Sequence, residues 1–303
     1  MQLRRALQFA LYMEAVQLIC KHILAHRTTF PKPLFVAVQG PQGSGKSYLS
    51  GLVQETLSAS PNNLRIVVIS IDDLYLPHSD LISLASSHPN NQLWQGRGQP
   101  GTHDVELGIR VLNALKQGIS VEIPRFDKSL FNGDGDRLLM DGSGTIVSQP
   151  PRVDVVILEG WCVGFQSISS DDLDRRWNGI WKEDREKLSL TEEKVGKKID
   201  LENVNDKLKG YAPLWTFFDL FVQACNLSSL PHATFQCSNQ LKATLPPSTS
   251  GSQYSIIYEW RLEQERYMKE QNGGRGMSDA AVKSYALSYQ LSSCHTSHSR
   301  PDL

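Results

Sequence analysis

LFVAVQGPQGSGKSYLS, residues 34–50, decides how the rest of the chain is read. Leu34, Phe35, Val36, Ala37 and Val38 form an apolar, partly β-branched run bounded by Pro33 and Gly40, the composition of a strand buried on both faces. The residues after it fill the G-x-x-x-x-G-K-[ST] spacing with Gly40, Gly45, Lys46 and Ser47. Glycine tolerates backbone angles that a Cβ forbids, so successive N–H groups can turn inward around a phosphate. The spacing predicts a helix from near Lys46. Its N-terminal dipole, the Lys46 ammonium and the Ser47 hydroxyl suit β- and γ-phosphates and a Mg²⁺ ion. The cradle so defined runs through Gly40, Pro41, Gln42, Gly43, Ser44, Gly45, Lys46, Ser47 and Tyr48. A triphosphate cradle by itself leaves kinases, GTPases, motor ATPases and some sulfotransferases open.

Composition narrows the field. The 303 residues are enough for one large α/β domain, and 31 Lys and Arg against 32 Asp and Glu carry no net charge that points to nucleic acid or an anionic membrane. The five cysteines, Cys20, Cys162, Cys225, Cys237 and Cys294, show neither C-x-x-C pairs nor zinc spacing and read as reduced thiols. No apolar run approaches the roughly 20 residues of a membrane helix. A soluble protein of the cytoplasm, with the nucleus also open to it, is the expectation.

Residues 1–27 read as a helix that packs on the sheet, with Leu7, Ala10, Leu11, Ala15, Leu18, Ile19 and Ile23 at three- and four-residue spacing. Its basic character also faintly resembles a presequence, but it lacks the serines and leads into the first strand through Pro31 and Pro33. LRIVVISI (64–71) is a second buried strand that delivers Asp72 and Asp73 at its C-terminal end, where ligands bind in open α/β sheets. Paired acids there suit a Mg²⁺ contact and a base that accepts a hydroxyl proton, or else a turn cap. Residues 77–91 read as a loop or broken helix. The polar loop QGRGQPGTHD (95–104) precedes a helix that Thr102 or Asp104 can cap, and it has the make-up of a substrate loop. RFDKSLFNGDGDR (125–137) follows a short edge strand; it lacks the ligand pattern of a calcium loop, and Lys128 and Arg137 suit phosphate or an acidic substrate. VDVVIL (153–158) is a third buried strand, ending at Glu159, as a second nucleotide-binding motif does. Three strands thus bring a phosphate loop, an Asp pair and a Glu to one edge.

GPQGSGKS, SIDDLYL (70–76), GRGQPGTHD, PRFDKS with GDGDR, LEGW (158–161) and YEWRLEQE (258–265) together resemble the D-glycerate 3-kinase family, including its fungal ATP-dependent kinase members. That family is similar in turn to phosphoribulokinase, uridine kinase and bacterial pantothenate kinase. The resemblance implies ATP and Mg²⁺, a small hydroxylated and anionic substrate, and a monomer or homodimer. By similarity Asp72 faces the acceptor hydroxyl, with Asp73 the lesser candidate; Ser47 and Glu159 belong to the Mg²⁺ shell; Arg97, Thr102, His103 and Asp104 line the acceptor pocket. Lys46 and Lys128 approach the transferred phosphate, and Arg261, with Arg275 as a weaker candidate, belongs to a lid. Residues 171–209 are expected to form an excursion near the acceptor, with Asn205, Lys209 and Tyr211 reaching it.

The expected fold is one α/β P-loop domain over residues 1–289, with a mostly parallel sheet, helices on both faces and a lid at 258–279. Two departures from the family stand out. Residues 224–251 are rich in Ser, Thr and Pro and resemble an inserted loop, and residues 290–303 become polar and patternless, as an altered or disordered tail does. Uridine- or pantothenate-type kinases, for which Trp94 and Trp161 offer stacking surfaces, and a nucleotide-binding protein without catalysis are the alternatives. The guanine-reading N-K-x-D motif is absent from the chain.

Overall fold

The computed structural model describes residues 2–30, 32–40, 44–187, 191–224 and 235–238. The chain opens with α1 (Gln2–His26), β1 (Leu34–Gln39), α2 (Lys46–Ser58) and β2 (Ile66–Ser70). A 3₁₀ turn, Ile71–Leu74, leads to α3 (His78–Ser87) and α4 (Val105–Gln117). Short strands β3 (Val121–Ile123), β4 (Phe126–Asp127), β5 (Asp136–Arg137) and β6 (Thr145–Val147) precede β7 (Val155–Gly160). A helical stretch follows: α5 (Ser170–Asn178), α6 (Ile180–Lys187), α7 (Glu192–Val195), α8 (Lys198–Leu208) and α9 (Ala212–Trp215). Strands β8 (Leu220–Ala224) and β9 (Phe235–Ser238) complete the described residues.

Among those residues the central sheet has the order β2-β7-β1-β8-β9, parallel throughout except for β9. Every residue of β1 and β7 is buried, and alternation along them feeds two cores. Leu34, Val36, Val38, Val155 and Ile157 face α1 and α2, against Ala15, Ile19, Ile23, Leu49, Val53 and Leu57. Phe35, Ala37, Val156 and Leu158 face α4 and its neighbours, against Leu107, Val111, Leu115 and Leu214. This is the two-sided burial that near-continuous apolar strands require. A third cluster joins Leu93 and Trp94 to Leu173, Trp177, Trp181, Leu201 and Val204 of α5 to α8, so the 171–209 excursion is a small helical layer under the 95–104 loop. No helix among the described residues is long and apolar enough to cross a membrane.

Several sequence expectations change in detail. Leu18 is exposed, and Val16 and Cys20 share the buried stripe instead, because residues 15, 16, 19, 20 and 23 fall on one side of the helix at 3.6 residues per turn. The second strand ends at Ser70, and the Asp pair sits on the 3₁₀ turn, whose Ser70 Oγ accepts the Asp72 N–H at 3.3 Å. Residues 78–87 are helical; the pattern was hard to see because only Leu81 is buried there. Glu159 lies inside β7 and not beyond its end. Within the stretch read as an inserted loop, Phe235–Ser238 pairs antiparallel with β8; most of the rest of 224–251, the 258–279 lid and the 290–303 tail lie outside the described residues.

The close contact between β7 and the 3₁₀ turn gives a test. A Cβ on Gly160 would stand 2.3 Å from Ile71 Cγ2, next to Asp72. Gly160→Ala is expected to destabilise the fold by about 1–3 kcal/mol through overpacking, read from urea unfolding, whereas an unchanged midpoint would show that the turn yields freely.

Candidate functional site

The register of the three adjacent strands builds the site. Val38 on β1 and Ser70 on β2 both stand opposite Glu159 on β7, so the loop after β1, the turn after β2 and the Glu159 carboxylate meet at the C-terminal edge of the sheet, where open α/β folds bind ligands. Gly45 takes φ +79°, the left-handed conformation open to glycine, and α2 starts at the next residue. Lys46 is buried, Tyr48 projects outward, and Ser47 Oγ donates to Glu159 Oε1 at 2.8 Å. Gly40 and Ser44 are both buried beside them, while Pro41, Gln42 and Gly43 lie outside the described residues.

Burial pushes the Lys46 ammonium down, opposed by the charges of Glu159 and Asp72. Asp72 accepts from Lys128 Nζ at 2.6 Å and from the Tyr75 hydroxyl at 3.1 Å. Burial works to raise this carboxyl, but Lys128, by charge and hydrogen bond, with His103 and Lys46 behind it, holds it well below the usual carboxylate range. Asp73 differs: it accepts the Phe126 N–H at 3.2 Å, and burial raises it against that bond and the Lys128 charge. Asp73 therefore ties the 3₁₀ turn to β4, the strand that carries Lys128 in beside Asp72.

The 95–104 loop folds over this edge. Trp94 Nε1 donates to Pro100 O at 3.0 Å and Trp161 Nε1 to Gly98 O at 3.2 Å. Both indoles are buried, so they brace the loop, and the stacking surface expected of them for a nucleoside is not there. Thr102 Oγ1 donates to Gln99 O at 2.7 Å and accepts the Gly98 N–H at 3.0 Å; it closes its own loop. Asp104 caps α4 through the Leu107 N–H at 2.9 Å and pairs with Arg137 Nη1 at 2.7 Å. The Arg97 guanidinium donates to Gly133 O and Asp134 O and lies over the Phe126 ring, which ties this loop to the 125–137 hairpin. The polar atoms of Thr102 and Asp104 are thus engaged within the fold, and of the four loop residues His103 is the one whose charge would act on Asp72.

The His103 ring stacks on Tyr75 at 4.6 Å between centroids, and its Nδ1 is 2.8 Å from the Tyr211 hydroxyl. Burial pushes the imidazole down to about 4, with the Asp72 charge opposing. Tyr75, three residues after Asp72 in SIDDLYL, is a site residue that the sequence pattern does not single out, because an aromatic in an apolar run reads as core. Of the three residues expected to reach the acceptor from the excursion, Tyr211 does reach the loop, Asn205 holds both backbone groups of Ile168, and Lys209 pairs with Asp206 at the surface. Arg261 and Arg275 lie outside the described residues.

The chain is 32% identical over 288 residues to the uncharacterized kinase mug58 of Schizosaccharomyces pombe, which covers 91% of this chain and 87% of that protein. It is 34% identical over 274 residues to the probable ATP-dependent kinase TDA10 of Saccharomyces cerevisiae, 86% of this chain and 77% of that one. Among solved structures, D-glycerate 3-kinase from Cryptococcus neoformans var. grubii superposes with a TM-score of 0.68 at 32% identity, over 93% of this chain and 88% of the other. No protein-family model matches. Sheet edge, phosphate loop and relatives define an ATP-dependent small-molecule kinase of the α/β P-loop class. The chain belongs to the kinase family that includes fungal D-glycerate 3-kinase and the two yeast kinases.

The depressed imidazole sets a pH dependence. Between about 6.5 and about 4 the unfolded chain holds a proton on His103 that the folded chain does not. Its contribution to stability is therefore complete above about 6.5 and is lost as pH falls toward 4. Urea unfolding across this window is expected to show a slope of up to ~1.4 kcal/mol per pH unit, reduced in His103→Gln; equal slopes would remove His103 from the cause.

Proposed function

We propose that this kinase transfers the γ-phosphoryl group of ATP to a hydroxyl of a small anionic metabolite, with D-glycerate the acceptor named first. The observation that carries the reading is the meeting of Lys46, Ser47, Asp72, Lys128 and Glu159 at one edge of three adjacent parallel strands. The D-glycerate assignment rests on the relative that bears that activity in its name, and the Lys128 ammonium beside Asp72 suits a substrate that carries a carboxylate.

Phosphoryl transfer asks little covalent work of a protein and much positioning and charge. Lys46, buried at the start of α2, is proposed to hold the β- and γ-phosphates together with the N–H groups of the phosphate loop. Ser47 and Glu159 fit Mg²⁺: a hydroxyl and a buried carboxylate in contact are hard oxygen donors, and such an ion takes further ligands from phosphates and water. Bound there, it would neutralise phosphate charge.

Asp72 is proposed as the group that orients the acceptor hydroxyl and takes its proton. While Lys128 pairs with it the carboxylate is ionised but a weak base. When Lys128 turns to the phosphate that leaves ATP, the ion pair loosens and burial raises the carboxyl, so that Asp72 gains basicity as the hydroxyl loses its proton. Arg261 is proposed to add positive charge from a lid over residues 258–279. The single-domain organisation, the cytoplasmic or nuclear setting and a monomeric or homodimeric state, all expectations from the sequence, remain part of this proposal.

ADP release from ATP and Mg²⁺ with D-glycerate, uridine, pantothenate or no acceptor tests the reading. D-glycerate is expected to stimulate turnover, and Asp72→Asn to lower it by roughly 10²–10⁴-fold with ATP binding retained. Stimulation by uridine or pantothenate alone would move the acceptor class, and near-normal turnover in Asp72→Asn would remove Asp72 as the base.

A further inference from the structure

Tyr211 closes the 3₁₀ turn Lys209–Tyr211, more than a hundred residues from the loop it braces, and it is buried. Its phenol oxygen accepts the Gly101 N–H at 2.9 Å and stands 2.8 Å from His103 Nδ1. Burial, with a smaller push from Cys162, raises the phenol above its ordinary value against the pull of the Gly101 and His103 backbone N–H groups, so the hydroxyl keeps its proton. A phenol has a single proton to donate. Among the described residues Nδ1 is the acceptor within its reach. If Nδ1 itself carried the imidazole proton, it would donate to the phenol oxygen and the phenol proton would be left buried and unpaired, which interiors rarely tolerate. The satisfied arrangement has Tyr211 donating to Nδ1, which puts the ring proton on Nε2.

His103 Nε2 is buried and, among the described residues, has no hydrogen-bond partner. The ring that carries it is stacked on Tyr75, whose hydroxyl donates to Asp72. We propose that Tyr211 is a positioning residue that fixes His103 as the Nε2–H tautomer, so that one neutral N–H donor is aimed at an oxygen of the acceptor held beside Asp72. The inference deepens the acceptor reading above and rests on it. An uncharged donor here leaves Lys128 as the cation at Asp72, and it selects an acceptor with a lone pair, a hydroxyl or carboxylate oxygen, at that point.

Two-bond ¹H–¹⁵N correlation spectra of histidine-labelled protein, with His103 assigned by loss of its signals in His103→Gln, read the tautomer without any acceptor. The expected result near neutral pH is a protonated Nε2 and bare Nδ1 in the wild type, with the fixed tautomer lost in Tyr211→Phe. A protonated Nδ1 in the wild type, or an unchanged tautomer in Tyr211→Phe, overturns the proposal. In kinetics with D-glycerate, Tyr211→Phe is expected to lower kcat/KM for the acceptor roughly tenfold, as loss of one aimed hydrogen bond does, with KM for ATP unchanged. His103→Gln, whose amide reaches the Nε2 position, is expected to retain more activity than His103→Asn, whose amide falls at Nδ1. Equal activity in all three variants overturns the donor role while the acceptor reading stands. A wild type that D-glycerate does not stimulate contradicts the acceptor reading first, before any variant is made, and the donor role falls with it. If Tyr211→Phe does not fold, the wild-type spectrum and the two His103 variants decide.

Discussion

Glu159 is 3% exposed and sits on β7, between β1 and β2 in the parallel part of the sheet. A buried charge is costly unless it is paired and hydrogen-bonded. Ser47 supplies the hydrogen bond and Lys46 the opposite charge, both from the first turn of the helix after β1. That pairing holds only while β7 lies between β1 and β2 in the observed register. Slipping β7 by one residue would exchange the side chains that enter its two cores, and would carry Glu159 off the edge. Packing on both faces of β1 and β7 therefore fixes the place where the charges can meet, and the phosphate loop and the Asp72 turn follow from it.

A second layer of constraint sits above this edge. Asp72 is poised between two influences of opposite sign: burial that favours the neutral acid, and Lys128 that favours the carboxylate. The protein holds Lys128 there by a chain of contacts, from Asp73 to the Phe126 backbone and from Arg97 to the hairpin carbonyls. His103 is anchored from the other side by Tyr75 and Tyr211. The loop that bears His103 is itself braced by Trp94 and Trp161 through their indole N–H groups. Large side chains in this region thus serve to fix a polar loop, and the polar atoms left for a ligand are few.

Much of this was legible in the sequence, for physical reasons. Strands buried on both faces read as continuous apolar runs, so β1, β2 and β7 stood out, and the glycine spacing marked the loop between β1 and α2. Asp72, Lys46, Ser47 and Glu159 could be named because each ends or follows such a run. The 95–104 loop was visible as a shaped polar segment, but the division of labour within it was not. Thr102, His103 and Asp104 are adjacent and all polar; the hydroxyl closes the loop, the carboxylate caps α4 and the imidazole packs between Tyr75 and Tyr211. Spacing cannot tell these apart, because the choice is made by partners at Gln99, Arg137 and Tyr211. Helix α3 cannot be told from a loop in the sequence for a related reason: with one buried residue it carries no stripe for a periodicity to reveal.

The central claim is that this edge moves a phosphoryl group to an alcohol and does not merely hydrolyse ATP. Time-resolved ³¹P NMR of ATP, Mg²⁺ and D-glycerate tests it most directly, since it follows the γ-phosphorus itself. The account predicts a phosphate monoester resonance that grows at the rate the ATP signal decays. Growth of inorganic phosphate alone, at the same rate with and without the acceptor, would contradict it.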